Sequence, residues 1–419
     1  MLNRLVMTLV FGFLASNIAF AEDEKAPDWN AETLTGNWGE GRSSLYDKGI
    51  TVELTHKSDM LANTSGGIRR GSVWLANSEI AVNTDMGKFA GWDATTIFVQ
   101  YHVQHGNKSI NNYAGSFAGV DNIETSTNAG QFYQAWLQKN SADDRLSALA
   151  GLYAVDSEFY VTDTSGLFLQ PPYGMSAEMA QTGQNGPPVF PMGALAVRLK
   201  YASSGYYVQG ALTDGVPGNL NNPQGTHIRL DQGDGTLAVL ELGYNTSEEG
   251  KSFNKTALGL WRYSARADDL IDVDALNNPI RRADQGFYFL AERTLRAEQN
   301  DPAQGLSGFV RFGTVNKNVY QAEWSGSLGL HYQGLFDGRD DDTAGIAVTT
   351  SHASSKYRVV QLALGNDTDS SETVVEITYR AQLKPWLSVQ PMVQRITNPN
   401  MDTTLRDAWV AGMRLEAAF

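Results

Sequence analysis

Apolar and polar residues alternate with a period of two over most of the chain, most plainly at its end. Trp409, Ala411, Met413, Leu415, Ala417 and Phe419 fall on one face of an extended segment, and Val410, Gly412, Arg414, Glu416 and Ala418 on the other. A strand sends successive side chains to opposite sides, so this spacing predicts a β-strand with one apolar and one wet face. The split recurs. Thr373, Val375, Ile377, Tyr379, Ala381 and Leu383 oppose Val374, Glu376, Thr378, Arg380 and Gln382. Leu195, Val197, Leu199 and Tyr201 oppose Ala196, Arg198 and Lys200, and Leu306, Gly308, Val310 and Phe312 oppose Ser307, Phe309 and Arg311. In 96–104, Ile97, Val99, Tyr101 and Val103 oppose Thr96, Phe98, Gln100, His102 and Gln104.

Period alone does not separate a soluble sandwich, whose apolar face packs inward, from a membrane barrel, whose apolar face meets lipid. Strand number does. The pattern predicts sixteen strands, over 50–60, 73–84, 94–105, 131–139, 145–154, 193–202, 206–213, 236–244, 253–264, 285–294, 306–315, 323–333, 344–351, 372–382, 386–396 and 407–419. An even number returns both termini to one side of a membrane. Connections after even strands, such as 140–144, 203–205 and 383–385, are tight. Those after odd strands, such as 106–130, 214–235, 265–284 and 352–371, are long. This rhythm suits short periplasmic turns and longer extracellular loops. A weaker alternation near Tyr357 to Leu364 reads as loop. The longest connection, 155–192, joins strands five and six. Loops of that length are usually functional, and this one is expected to fold back into the barrel and narrow it.

Ahead of the strands, Asn37 can cap a short helix that Trp38 to Lys48 fill and Gly49 ends. Arg4, the apolar run Leu5 to Ala15, and Ala19-Phe20-Ala21 have the pattern of a secretory signal. The expected organisation is a signal peptide over 1–21, a periplasmic segment with a short helix over 22–49, and an all-β, antiparallel transmembrane barrel over 50–419.

Composition fits a wall with two kinds of face. Overall hydropathy is negative, yet the chain has 41 Gly, 9 Trp, 17 Tyr and 17 Phe. After the signal no apolar run reaches the length of a transmembrane helix. There is no cysteine, so strand closure rather than disulfides must hold the fold. A net charge of −14 argues against nucleic acid as a partner. Acidic loops are compatible with a lipopolysaccharide surface bridged by divalent cations, but read first as a solvated surface.

Several short motifs, in order, resemble the carbohydrate-selective outer-membrane porin family known as OprB. They begin with Leu34-Thr35-Gly36-Asn37-Trp38-Gly39 and Leu45 to Ile50, and continue with Ala154-Val155-Asp156-Ser157-Glu158-Phe159 and Gly166-Leu167-Phe168-Leu169. Pro188 to Met192 leads into Ala196-Val197-Arg198-Leu199. Trp261-Arg262-Tyr263-Ser264, Gly338-Arg339-Asp340-Asp341-Asp342 and Leu387-Ser388-Val389-Gln390-Pro391 complete the series. Glu40 stands where the family often carries glycine, and Asn111 to Thr127 is individual. The resemblance implies an outer-membrane channel through which mono- and small oligosaccharides diffuse passively. Separately, Phe419 at the end of an alternating strand resembles the signal read by the outer-membrane barrel assembly machinery.

A sugar offers hydroxyls and an apolar C–H face, so a sugar pore needs hydrogen-bonding groups, aromatic surfaces and only weak sites. The expected constriction combines Asp156, Glu158 and Tyr173 from the long loop with Arg198, Arg262, Arg311, Glu292 and Trp136 from the wall. Arg380 and Glu376 are further donors and acceptors. Lumen arginines and carboxylates also pair simply to hold a loop, and Trp136 and Tyr173 also suit packing. Trp386, Trp409, Tyr206 and Phe419 suit an interfacial aromatic belt.

Enzyme signals are poor. There is no Gly-x-Ser-x-Gly elbow, and His102 and His105 would point to opposite faces of a strand. No cofactor is expected. Asp231 to Gly235 and Asp340 to Asp342 could hold calcium weakly, but read as solvated turns. A general diffusion porin is the alternative, an outer-membrane barrel enzyme is disfavoured, and monomer and homo-oligomer stay open.

Overall fold

The computed structural model describes residues 26–106, 109–125, 127–246, 253–299, 301 and 303–419. The expected signal peptide over 1–21 lies outside these residues. Among the described residues sixteen antiparallel strands form one closed barrel. They are β1 Ile50–Gly67, β2 Gly71–Asp85, β3 Thr95–Gly106, β4 Gly130–Asn140, β5 Leu146–Tyr153, β6 Ala194–Ser203, β7 Tyr206–Asp214 and β8 Thr236–Asn245. Then come β9 Asn254–Val273, β10 Pro279–Ala297, β11 Gly305–Val315, β12 Ala322–Gln333, β13 Thr343–Ala353, β14 Ser371–Lys384, β15 Leu387–Thr397 and β16 Arg406–Ala418. Each pairs with its sequence neighbours, and β1 closes the ring on β16 from Thr55 opposite Ala418 to Gly67 opposite Arg406. Closure leaves no unpaired edge, as a span through hydrocarbon requires.

The two faces are inverted relative to a soluble protein. Leu199 is 61 % exposed and Ile377 56 %, whereas their strand neighbours Arg198 and Glu376 are 2 % and 0 % exposed. Leucines on the outside and charges on the inside identify the outer face as the lipid-facing one. Every alternation described above falls on the side predicted for it.

The structure departs from the sequence reading in places. β9 and β10 run well beyond 264 and before 285, so 265–284 is a strand hairpin and not a loop. Ser355–Ala363 is a helix, capped by the Ser354 hydroxyl, which accepts from the Tyr357 N–H. Near the N-terminus, Trp38 and Glu40 adopt positive φ of 52° and 74°. These break the expected helix, which spans only Gly41–Asp47, after a separate turn at Trp29–Glu32. Asn37 therefore stands outside the N-cap position, but its Oδ1 still accepts from the Ser43 N–H in the first helical turn at 3.0 Å, and its Nδ2 donates to Ser43 Oγ. This segment is tied to the end of the chain. The Leu34 N–H donates to the Ala418 carbonyl at 2.9 Å. Arg42, held between the rings of Trp29 and Trp38, donates to the Phe419 carbonyl.

Candidate functional site

The connection between β5 and β6 lies inside the barrel. It is built from short 3-10 turns, Val155–Ser157, Thr164–Leu167 and Pro171–Tyr173, and the helical turn Ala177–Ala180. Its apolar side chains make a second core against the wall. Phe159, Tyr160, Met175 and Met179 pack with Leu237, Trp261, Tyr288 and Leu290, and Phe168 and Tyr173 with Phe309. The loop is thus a packed plug over one side of the lumen.

Irregular backbone leaves donors and acceptors without partners, and the wall supplies them. Glu292 on β10 accepts from the Asp163 and Thr164 N–H groups at 3.0 and 2.8 Å. Glu376 on β14 accepts from Leu169 and Gln170 at 2.8 and 3.0 Å. Arg311 on β11 works with the opposite sign, donating to the carbonyls of Tyr160 and Gly174 at 2.8 and 2.7 Å and to that of Tyr173. Hydrogen bonds to a charged partner are worth roughly 1.5–3 kcal/mol each, more than neutral ones, so these few contacts hold the loop firmly.

Glu241 on β8 is the densest node. It accepts from the Tyr160 N–H at 3.0 Å, Tyr207 Oη at 2.8 Å, Tyr288 Oη at 2.6 Å and Gln209 Nε2 at 3.1 Å. Two glycines make this convergence possible. Tyr207 lies opposite Gly243 and Tyr288 opposite Gly259 in the strand register. A Cβ on either glycine would overlap the facing ring, at 2.3 and 2.0 Å. Each tyrosine can therefore lie flat across the neighbouring strand and aim its hydroxyl at Glu241.

Where the loop leaves β5, Glu158 meets Arg198 at 2.8 Å and accepts from Tyr153 Oη at 2.7 Å. Arg198 also donates to Ser147 Oγ and Gln138 Oε1, both at 2.6 Å. Asp156 accepts from Tyr133 Oη at 2.6 Å and the Phe190 N–H at 3.0 Å. Burial pushes the Asp156 carboxyl up to about 6 and that of Glu178, which accepts from Tyr160 Oη, up to about 7.

The connection between β3 and β4 meshes with this plug. The Asn122 N–H donates to the Leu169 carbonyl at 2.7 Å. On the wall, Arg414 is bidentate to Asp59 at 2.6–2.8 Å, donates to Asn122 Oδ1 at 2.7 Å, and lies 3.6 Å from Asp121. Glu372 accepts from Ser116 Oγ and the N–H groups of Phe117, Ala118 and Asn400 at 2.7–3.1 Å.

The residues expected at the constriction therefore fall into three groups. Asp156, Glu158, Arg198, Glu292 and Arg311 come together around the loop, and their polar atoms are engaged in holding it. Trp136 is buried, stacks on Phe98 with ring centroids 5.1 Å apart, and donates to Gln134; Tyr173 is buried among Phe168 and Phe309. Arg262 is not in the lumen. It shares parity with Leu258 and Leu260 and is exposed on the outer face. On the lumen side, polar groups that stay partly accessible include Asp163 on the loop and Lys200, Tyr207, Lys255 and Arg380 on the wall. Lys255 Nζ donates to the Val161 carbonyl at 2.7 Å, and Lys200 Nζ sits 5.6 Å from the centre of the Tyr207 ring.

Sequence reasoning missed Glu241, Glu372, Asp59 and Arg414 as loop anchors. Asp59, Glu372 and Arg414 are charges at wet-face positions of alternating strands, which is the signal that could have found them, whereas Glu241 lies on a strand that is apolar on both faces. Among the described residues no group of three His, Asp or Glu is placed to hold a metal ion.

A closed barrel with an inward plug anchored by wall carboxylates and a guanidinium is a channel architecture. The family model for the carbohydrate-selective porin, OprB family, matches residues 75–419. The chain belongs to that family. It is similar to Porin B of Pseudomonas aeruginosa, 24 % identical over 93 % of this chain and 92 % of the other. It is also similar to the putative porin QuiX of Acinetobacter baylyi, 24 % identical over 97 % of both chains. A solved structure of Pseudomonas putida OprB at high pH superposes with a TM-score of 0.82, covering 94 % of this chain and 100 % of that one, at 21 % identity. The protein is a carbohydrate-selective porin of the bacterial outer membrane, a channel and not an enzyme.

Proposed function

We propose that this porin passes mono- and small oligosaccharides passively through a fixed constriction, and that its selectivity lies in the strip the loop leaves open. The observation that carries this reading is the anchoring of the loop. With its backbone bonded to Glu241, Glu292, Glu376 and Arg311, the loop sets a static aperture and not a swinging gate. Of the constriction residues expected from the sequence, Asp156, Glu158, Arg198, Glu292 and Arg311 act as positioning residues, and Trp136 and Tyr173 as packing. Solute contact falls to Asp163 on the loop and Lys200, Lys255 and Arg380 on the wall, with Tyr207 as the aromatic surface. Charges of both signs on the lumen surface orient water and hydroxyls, and several modest contacts allow release.

In this reading the described part of the N-terminal segment, 26–49, lies at the periplasmic mouth, lipid and lipopolysaccharide surround the barrel, and Phe419 serves recognition by the assembly machinery. The test is liposome swelling with a panel of sugars and size-matched amino acids, paired with planar-bilayer conductance. Faster entry of sugars, and conductance that falls as sugar is added, is the expected result. Equal entry of sugars and amino acids with no blockage by any mono- or disaccharide would make the protein a general diffusion porin.

A further inference from the structure

The outer wall carries a groove of about 1220 Å³ that crosses β6 to β11 on the lipid-facing side. Its floor is lowered by Gly210 and Ala238, and Leu199, Leu212, Leu240 and Leu260 rise around it. The groove is apolar along its length and turns polar at one end, where it reaches Arg262, Gln285 and the β11–β12 turn with Lys317. That end is the rim from which β9 and β10 project beyond their neighbours. β8 begins at Thr236, and Ala238 pairs with Arg262, so the strands above Arg262 stand clear of the wall on the β8 side. Outward positions on β9 pass from Leu258 and Leu260 to Arg262, Ser264 and Arg266, which marks the level where hydrocarbon gives way to headgroups. Because this rim carries the long connections, it is the outer one. Among the described residues, Arg262 and Lys317 have no ion-pair partner and both are exposed.

We infer that this groove is a binding site for one lipid A-type molecule of the outer leaflet, a multi-acylated glycolipid carrying phosphates. Acyl chains lie in the apolar trough, where each buried methylene is worth about 0.8 kcal/mol. Phosphate meets Arg262, whose planar fork suits it, with Lys317 as a second charge. Charge complementarity selects the occupant. A neutral lipid leaves both cations without a partner in a chain of net charge −14. A phospholipid of the inner leaflet has its phosphate at the opposite rim, where the groove ends on Leu146 and Tyr201. A second copy of this chain would also bring its own outward leucines, but no feature of the groove's polar end calls for it. The site is separate from sugar passage, and it explains why one arginine of the Trp261-Arg262-Tyr263-Ser264 motif faces away from the lumen.

The experiment uses delipidated, folded full-length barrel in detergent and bis-phosphorylated lipid A as the probe, read by native mass spectrometry. The wild type should retain one lipid A per barrel through detergent exchange. The double substitution Arg262→Gln/Lys317→Gln should reduce retention by about tenfold or more, and so should removing the phosphates from the lipid. Gly210→Trp, which fills the trough without touching the cations, should do the same. Heat-dependent gel mobility checks that each variant is a folded barrel. Equal retention by the double variant, tighter retention of phosphatidylglycerol than of lipid A, or a protein dimer that excludes lipid A from this face would each overturn the assignment.

Discussion

Arg311 and Tyr160 hold each other twice. The Arg311 guanidinium donates to the Tyr160 carbonyl at 2.8 Å and lies 4.6 Å from the centre of the Tyr160 ring. That ring stacks on Tyr288 with centroids 4.0 Å apart, its hydroxyl reaches Glu178 at 2.9 Å, and its N–H reaches Glu241 at 3.0 Å. One loop residue thus has every polar group engaged and both ring faces covered. The aperture is set by a cluster with little freedom to move.

Arg311→Ala should therefore act on the aperture and not on the barrel. It leaves the Tyr160, Tyr173 and Gly174 carbonyls without their donor. A buried acceptor left unsatisfied costs ~1–3 kcal/mol, and here the cost falls on the loop. Single-channel conductance should rise and become noisy, and sugar-dependent blockage should be lost, while heat-dependent gel mobility stays that of a folded barrel. Arg311→Lys, which keeps the charge but not the fork, should fall between. Wild-type conductance in Arg311→Ala would remove the residue from this role.

Asp163→Asn tests the open strip. Its backbone N–H is held by Glu292, so the substitution keeps the loop in place, but its side chain is exposed on the lumen side. Losing this negative charge from a lumen that also carries Lys200, Lys255 and Arg380 should shift reversal potentials toward anion preference and weaken sugar blockage severalfold, with conductance noise unchanged. Blockage equal to the wild type would place the solute path elsewhere.

The β3–β4 connection should depend on Arg414. This guanidinium is the counter-charge of Asp59, which is fully buried, and it also reaches Asn122 on the connection. Arg414→Ala strands a buried carboxylate, at a cost of ~3–5 kcal/mol. Because the pair sits on the β1–β16 seam, the barrel itself should lose stability, seen as a lower temperature for the heat-dependent mobility shift. Restoring neutrality with Arg414→Ala/Asp59→Asn should recover most of the loss. No recovery would mean that packing and not charge is at stake.

How much of this was legible in the chain follows from where two environments alternate. Within the bilayer one face is lipid-facing and the other wet, so period two marks most strands, as in Trp409 to Phe419. Above the bilayer both faces are wet, and the pattern vanishes: Ser264, Arg266 and Asp268 look like loop yet continue β9. Arg262 sits at that boundary, and its parity with Leu258 and Leu260 already placed it outside. Glu241 was hidden because Leu240 and Leu242 alternate with Val239 and Leu237, apolar on both faces. The loop anchors could be recognised as lumen charges, but their partners lie far off in sequence: Glu376 meets Leu169 only after the ring closes.

The last expectation concerns pH. Burial raises the Glu178 carboxyl from 4.5 to about 7 and that of Asp156 from 3.8 to about 6. A carboxyl raised in the folded state holds a proton that the unlatched loop would release, so this contribution to loop seating is full below the ordinary carboxylate range. It is lost as pH rises through the raised values. The window runs from about 4.5 to about 7 for Glu178. The loop should be most firmly seated at acid pH, with protease access and channel noise both increasing toward neutrality. Glu178→Gln cannot ionise and still accepts from Tyr160 Oη, so the variant should show a shallower rise across that window and quieter channels above it. A wild-type-to-variant difference that does not change between pH 4.5 and pH 7 would show that Glu178 does not titrate with loop seating.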